Sequence, residues 1–414
     1  MKKAIEHKSL ALAIMILLTG MMACNQKQKI MEKGSYAYDM DFLEKHNVEF
    51  LELTNRDSLA RIIVVPEWQG RVMTSTANGR KGKSFGWINY DFIKKGEVSS
   101  QFNVFGGEER FWIGPEGGKF SIYFDEGREQ AFSNWKVPPC LNTEAYDISQ
   151  KGNGSVSMTK SVKLTNASGT DFILRIDRKL SLLSMEDIAK DLDVNLPQGL
   201  KIVAYRSDNS MTNTGDLIWT KERGLLSVWM LCMFTPSPST TVFMPYNEEY
   251  LPKDVPVVND EYFGKVPSER LHYDNGYIFF KIDGKYRSKI GVPKGRARNI
   301  CGSYDADNNV LTILWFNLPD EDLPYVNSKW GEQDDPYNGD VVNSYNDGPL
   351  EDGSIMGPFY EIETSSPGAL LDPGESILHT QKVYHIEAEE NMLDKISRKV
   401  FGLSISEIKT EFTN

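Results

Sequence analysis

Histidine is scarce in this chain of 414 residues: there are five, His7, His46, His272, His379 and His385, and none between the second and the third. Chemistry that needs an imidazole acid in that long interval has no histidine to supply it. Cysteine is as sparse. Cys140, Cys232 and Cys301 show no CxxC or metal-ligand spacing, and their odd count leaves at least one unpaired, so they read as small buried hydrophobes. Positive charge is in deficit, with a net charge of −12 and a pI near 5.1. That balance argues against nucleic-acid partners and against adhesion to anionic lipid surfaces. GxSxG, P-loop, HExxH, GxGxxG and EF-hand patterns are missing too, as are low-complexity tracts and fixed-period repeats.

Long hydrophobic runs are absent apart from one at the N-terminus. Lys2, Lys3 and Lys8 precede an apolar stretch from Leu10 to Leu18, and Met21-Met22-Ala23-Cys24 follows. The stretch is too short to span a bilayer and reads as a signal peptide. A small residue directly before cysteine suits lipoprotein processing, which predicts a signal peptide over residues 1–23, acylation of Cys24 and a polar linker over 24–35. Each buried acyl methylene contributes about 0.8 kcal/mol, so two or more chains would anchor the protein through lipid alone. The expected location is the cell envelope, on the outer membrane, facing the periplasm or the exterior.

Within the span 36–386 assigned to one domain, the periodicity from Val48 to about Ile386 is mostly that of strands between turns, many with apolar and polar residues alternating, for example over 156–164, 172–180, 225–234 and 310–316. Residues 120–124 carry the same alternation. Asp283-Gly284 between apolar runs predicts a short hairpin, and Asp305 to Asn309 a second turn. One internal helix is expected where Ser184 and Asp187 form a capping box. These features predict an all-β antiparallel sandwich of unusually long sheets. In the tail, 387–414, Leu393, Ile396, Val400 and Leu403 recur at helical spacing, with Gly402 as a stop and Ser404 to Glu407 as a second cap.

Chemistry concentrates in three places. Around residues 357–386, Phe359, Glu361 and Glu363 share one strand face, with the carboxylates roughly 6–7 Å apart. Two such charges among aromatics require cations, a shared proton, a metal or sugar hydroxyls. The second place, residues 105–118, sets Glu108, Glu109, Arg110, Trp112 and Glu116 between two glycine pairs. An aromatic plane beside carboxylates and a guanidinium suits a pyranose. The third is a basic stretch from Lys281 to Arg298, in which Lys289 and Arg298 are candidates to answer the Glu361/Glu363 pair or to seat an acidic sugar. Arg71, Asn209 and the polar loop 330–349, with Tyr345, Asn346 and Asp347, complete the candidate set. The Asp and Asn oxygens of that loop make Ca²⁺ a candidate ligand; no other cofactor or metal is indicated.

Glu363-Thr364, then Leu371-x-Pro373-Gly374-Glu375 and a His-Thr strand, resemble the C-terminal signature of galactose mutarotases and aldose 1-epimerases. The resemblance implies a supersandwich with a sugar site on its concave face and gives Glu363 the role of general base at the anomeric hydroxyl. His379 falls where that family also carries a histidine. The family's central histidine acid has no counterpart between His46 and His272. Over its length, through FGGEERFWIGPEGGKFSIYF, GDVVNSYNDGP and GPFYEIETSSPG, the chain resembles an uncharacterised family of Bacteroidota lipoproteins with a mutarotase-like fold. The expected function is binding or modification of a mono- or oligosaccharide, acidic sugars included. The alternatives are a hexose epimerase pairing Glu363 with Lys289 or Tyr345 as acid, and a non-catalytic structural or Ca²⁺-binding envelope protein.

Overall fold

The structure, a computed structural model, describes residues 31–197, 199–250 and 255–412. The expected signal peptide, Cys24 and most of the expected linker lie outside the described residues. Gly34–Asn414 forms one compact unit, to which every element named below belongs. The first half runs through α1 (Tyr36–Lys45), β1 (Leu51–Thr54), β2 (Arg61–Val65), β3 (Arg71–Thr76), α2 (Tyr90–Lys95), β4 (Arg110–Gly114), α3 (Pro139–Asn142), β5 (Asp147–Lys151), β6 (Ser155–Thr165), β7 (Asp171–Leu182), α4 (Met185–Leu192) and β8 (Lys201–Asn213). The second half holds β9 (Ser227–Phe234), β10 (Thr240–Pro245), β11 (Leu271–Asp274), β12 (Tyr277–Lys281), β13 (Ser288–Pro293), β14 (Ile300–Asp305), β15 (Val310–Phe316), β16 (Asp340–Asn346), β17 (Tyr360–Ser365), β18 (Ser376–Glu387), α5 (Glu390–Phe401) and α6 (Ile405–Thr410).

The strands pair antiparallel in three sheets, of three (β1-β2-β3), ten (β11-β12-β10-β14-β15-β18-β8-β7-β6-β5) and five strands (β13-β16-β17-β9-β4). The five-stranded sheet lies against the ten-stranded one, and the main core fills the space between them. Strand β9, Ser-Val-Trp-Met-Leu-Cys-Met-Phe, is buried along its whole length because both its faces are covered. Strand β7 alternates exposed and buried residues, since near the rim of the large sheet one face meets water. The outermost strand β5 is exposed throughout and carries an irregular register, which blunts a free edge.

The outer face of the ten-stranded sheet is covered by the helices. Leu393, Ile396, Leu403 and Ile405 bury against Phe243, Ile313 and Ile386 there. Helix α5 ends at Gly402 in the left-handed region, and the capping box of Ser404 and Glu407 starts α6. Ser184 and Asp187 cap α4 in the same way. A third cluster packs α1 and α2 onto the small sheet, through Tyr36, Leu43 and Ile93 against Ile63 and Met73.

Several local expectations fail for identifiable reasons. Asp283-Gly284 does not close a hairpin: β12 pairs with β10 and β11, whereas β13 pairs with β16 in the other sheet. The turn is a crossover, held by the Arg270–Asp283 ion pair and by Asn346 Oδ1, which accepts from Gly284 N at 2.9 Å. Residues 120–124 form turns, not a strand; their alternation reflects burial of Phe120, Ile122, Tyr123 and Phe124. Helix α1 precedes the residues read as strands, within the span assigned to the sandwich, and was not anticipated although Ser35 caps it. Seven residues of the polar loop 330–349 form β16, an interior strand of the five-stranded sheet, whose Asn and Ser side chains are paired inside the sheet. Residues 306–309 do turn β14 into β15.

A candidate carboxylate–ammonium site on the small sheet

Register places the candidates. Across the five-stranded sheet, Lys289 pairs with Tyr345, Tyr345 with Glu361 and Glu361 with Met233; one row on, Asn343 pairs with Glu363, Glu363 with Leu231 and Leu231 with Arg110. Trp229 pairs with Trp112 in the next row. With a period of two, all these side chains stand on the face turned away from the ten-stranded sheet.

Glu363 is 1% exposed. Its Oε2 accepts from Lys289 Nζ at 2.9 Å and from Trp229 Nε1 at 2.9 Å. Among the described residues no donor reaches Oε1, although it is buried. Glu361 pairs with Arg110, whose guanidinium lies 5.3 Å from the Trp112 ring centre. The Lys289 ammonium sits 5.3 Å from the Trp229 ring centre and 5.5 Å from that of Tyr262. Tyr262 donates to Asp340, which also accepts from Asn259 Nδ2 at 2.6 Å. At the far end, Arg287 Nε donates to Tyr345 Oη at 3.2 Å, and Tyr345 donates to Asp347 at 3.0 Å.

The glycine pairs of residues 106–107 and 117–118 make these approaches possible. Gly107, at φ +116°, leaves space that Arg71 Cδ fills, 2.4 Å from where a Cβ would stand. Gly118, at φ +76°, lies against the Gln333 amide, 2.2 Å from the same imagined atom, and brings the 330s loop down beside Glu116.

Burial sets the charge states. It pushes the Glu361 carboxyl up to about 7; Arg110 opposes this and Glu363 reinforces it. Glu116 is likewise pushed up to about 7 by burial, against the pull of Lys289 and with the push of Glu363. The indoles of Trp135 and Trp330 face its carboxyl. Burial raises Asp340 to about 6 and moves Asp347 upward. For Lys289, burial is the largest single effect and pulls down, but Glu363, Glu116 and Glu361 together outweigh it, and the ammonium ends above its usual value.

The structure brings together Glu361, Glu363, Arg110, Trp112, Glu116, Lys289, Tyr345 and Asp347. It does not bring the other candidates to this face. Glu108 and Glu109 point between the sheets, Glu108 to Ser75 and His385 and Glu109 to Arg178, Ser207 and Gln381. Asn209 and His379 are in the same interior, where His379 meets Thr364 Oγ1 at 2.8 Å and burial holds its imidazole neutral, down to about 3. Arg71, also buried, donates to Gly106 O at 2.6 Å. Asn346 faces the other side of its strand and ties down the Asp283 turn. Arg298 is exposed on the surface. Trp112 is walled in by Phe102, Tyr123, Trp135 and Trp229. Trp229, Trp135 and Tyr262 were not anticipated at the site: Trp229 sits in an apolar run that reads as core, and the other two in loops; Trp330 and Asp340 fall within the polar segment 330–349, where neither was singled out. Among the described residues no cluster of three or more acidic, His or Cys side chains could hold a metal ion, and no helix is long and apolar enough to cross a membrane.

The molecule is thus an all-β antiparallel protein with a short C-terminal helical tail and a charged cluster on one face of its smaller large sheet. The chain belongs to DUF6786, a family of unknown function, whose family model matches residues 34–412. Among solved structures it is similar to Slr1438 from Synechocystis sp. PCC 6803, at 13% identity and a TM-score of 0.50, over 82% of this chain and 96% of that one. A galactose mutarotase-like protein from Lactobacillus casei ATCC 334 matches at 10% identity and TM-score 0.46, over 81% and 100%. A putative aldose 1-epimerase from Escherichia coli K12 matches at 11% identity and TM-score 0.44, over 82% and 99%. Identities this low speak to fold alone. Among curated proteins no sequence matches the chain.

Glu361 gives a pH test. Its folded pKa is above the unfolded one, so between roughly pH 4.5 and 7 the folded protein keeps a proton that the unfolded chain releases. The stability it contributes is full below that window and is lost as pH rises through it. His379 acts in the opposite sense as pH falls below its ordinary value, so the quantity to read is the difference between variant and wild type. Relative to wild type, Glu361→Gln should gain on the order of 2–3 kcal/mol in unfolding free energy from pH 4.5 to 7.5. Urea titrations across that range check it; a pH-independent difference contradicts it.

Proposed function

We propose that this protein is a lipid-anchored cell-envelope protein that binds or modifies carbohydrate at the Glu361/Glu363 face. The observation that carries this reading is Glu363 Oε1, a buried carboxylate oxygen with no donor among the described residues, set beside an ammonium and several indoles. Leaving such an acceptor unmet costs about 1–3 kcal/mol, and a sugar hydroxyl is a donor of the right kind. The surrounding rings supply the apolar surface that a pyranose C–H face needs. Lys289, 14% exposed in its side chain, and half-buried Tyr262 and Trp330 mark where the cluster meets solvent.

A second reading, a hexose epimerase, is favoured by one observation. Glu116, held near neutral pH by burial, stands within the field of Glu363, which offers an acid beside a base. Lys289 and Tyr345 are poorer acids, since both are shifted upward. A glycan array tests binding, and following the anomer ratio of free hexoses by NMR tests turnover. Saturable binding without faster anomerisation supports a binding protein; both together support the epimerase; neither, on a folded protein, contradicts the proposal.

The anchor is part of the proposal and rests on the N-terminal sequence, Lys2 to Cys24. Cys24→Ser should move the protein from the membrane fraction to the soluble fraction after cell lysis. A variant that still sediments with membranes contradicts the anchor and leaves the sugar site unaffected.

A further inference from the structure

On the outer face of the ten-stranded sheet, opposite the Glu363 cluster, a groove of about 410 Å³ opens between α4, α5 and strands β15 and β18. That size falls within the roughly 300–1,000 Å³ of small-molecule sites. Register sets its floor: Trp315 pairs with Lys382, and Ile313 with Tyr384, so all four side chains share the outer face. Its walls are Asp191 and Asp193 from the end of α4 and Lys399 from α5.

The polar groups are already fixed. Asp191 accepts from Lys382 Nζ at 2.7 Å and from Tyr384 Oη at 2.9 Å. Lys399 reaches Asp193 at 2.5 Å across the mouth. The Lys382 ammonium lies 5.0 Å from the ring centre of Trp315, which is itself half-buried. Two carboxylates answer two ammoniums, so the groove offers no net charge to a ligand. It does offer paired donors and acceptors next to an aromatic ring. A charged ligand would have to break one of the ion pairs, whereas a neutral polyhydroxylated one can bridge Lys382 and Asp191 with adjacent hydroxyls and lay its C–H face on the indole.

We propose that this groove is a second carbohydrate site, selective for neutral sugars and independent of the Glu363 cluster. Calorimetric or protein-detected NMR titration with cellobiose and lactose as neutral probes and digalacturonate as an acidic one tests it. In wild type, at least one neutral disaccharide should bind here more tightly than the acidic probe. Trp315→Ala should weaken that binding about tenfold or more, as loss of an aromatic stack implies, while Glu363→Gln leaves it unchanged. Lys382→Met removes a hydroxyl donor without emptying the floor; it should weaken the same binding while the protein still unfolds cooperatively, so the test survives if Trp315→Ala does not fold. The proposal is overturned if neither neutral probe binds, if both groove variants bind as wild type does, if Glu363→Gln abolishes this binding, or if digalacturonate binds more tightly at this groove.

Discussion

Arg178→Met should lower the unfolding free energy by about 3–5 kcal/mol, the usual cost of removing one partner from a buried ion pair. Arg178 and Glu109 each have side chains 0% exposed and meet at 2.8 Å. Glu109 also accepts from Ser207 Oγ at 2.8 Å and Gln381 Nε2 at 2.9 Å, and the guanidinium lies 5.6 Å from the centre of the Phe111 ring. Burial raises the Glu109 carboxyl and lowers the Arg178 guanidinium, each moved back by the other. Removing the arginine alone leaves a carboxylate in the core with only neutral donors. Combining Arg178→Met with Glu109→Gln removes both charges and keeps an acceptor for Ser207, so most of the lost stability should return. Denaturant titration of the two singles and the double decides; a single-mutant loss below about 1 kcal/mol would show that the pair is not desolvated.

Glu363→Gln should behave in the opposite way. Loss of one charge-assisted hydrogen bond to a ligand is worth about 1.5–3 kcal/mol, or roughly 10- to 100-fold in sugar affinity, and turnover, if present, should disappear. Stability should change by no more than about 1 kcal/mol, because the amide still accepts from Trp229 and Lys289 keeps Glu116 and Glu361 close by. The contrast with Arg178 separates function from structure: both carboxylate–cation pairs are buried, but Glu109 has a donor for each oxygen, whereas Glu363 leaves one oxygen open. A Glu363→Gln variant as destabilised as Arg178→Met would assign Glu363 to folding.

The two glutamates were legible in the sequence because they are local. Strand periodicity alone sets Glu361 and Glu363 on one face, and their charge calls for the Arg110 and Lys289 that the sheet supplies. Glu108 and Glu109 were misleading for the converse reason. Their partners Ser75, His385, Ser207, Gln381 and Arg178 come from β3, β7, β8 and β18, and nothing local marks them as interior. The Asp283-Gly284 turn carries the same local signal whether the chain reverses within a sheet or crosses to another. Trp229, inside an unbroken apolar run, showed its Nε1 bond to Glu363 only once the register was fixed. Helix α1, ten residues long, was masked by a short polar start that resembles a linker.

The most direct test of a sugar site at Glu363 is a crystal structure of the protein with the glycan that binds best on the array. The account predicts a sugar hydroxyl within hydrogen-bond distance of Glu363 Oε1, with Lys289 and the neighbouring indoles touching the same residue of the glycan. A glycan ordered elsewhere, with Glu363 Oε1 still without a donor from it, would contradict the account.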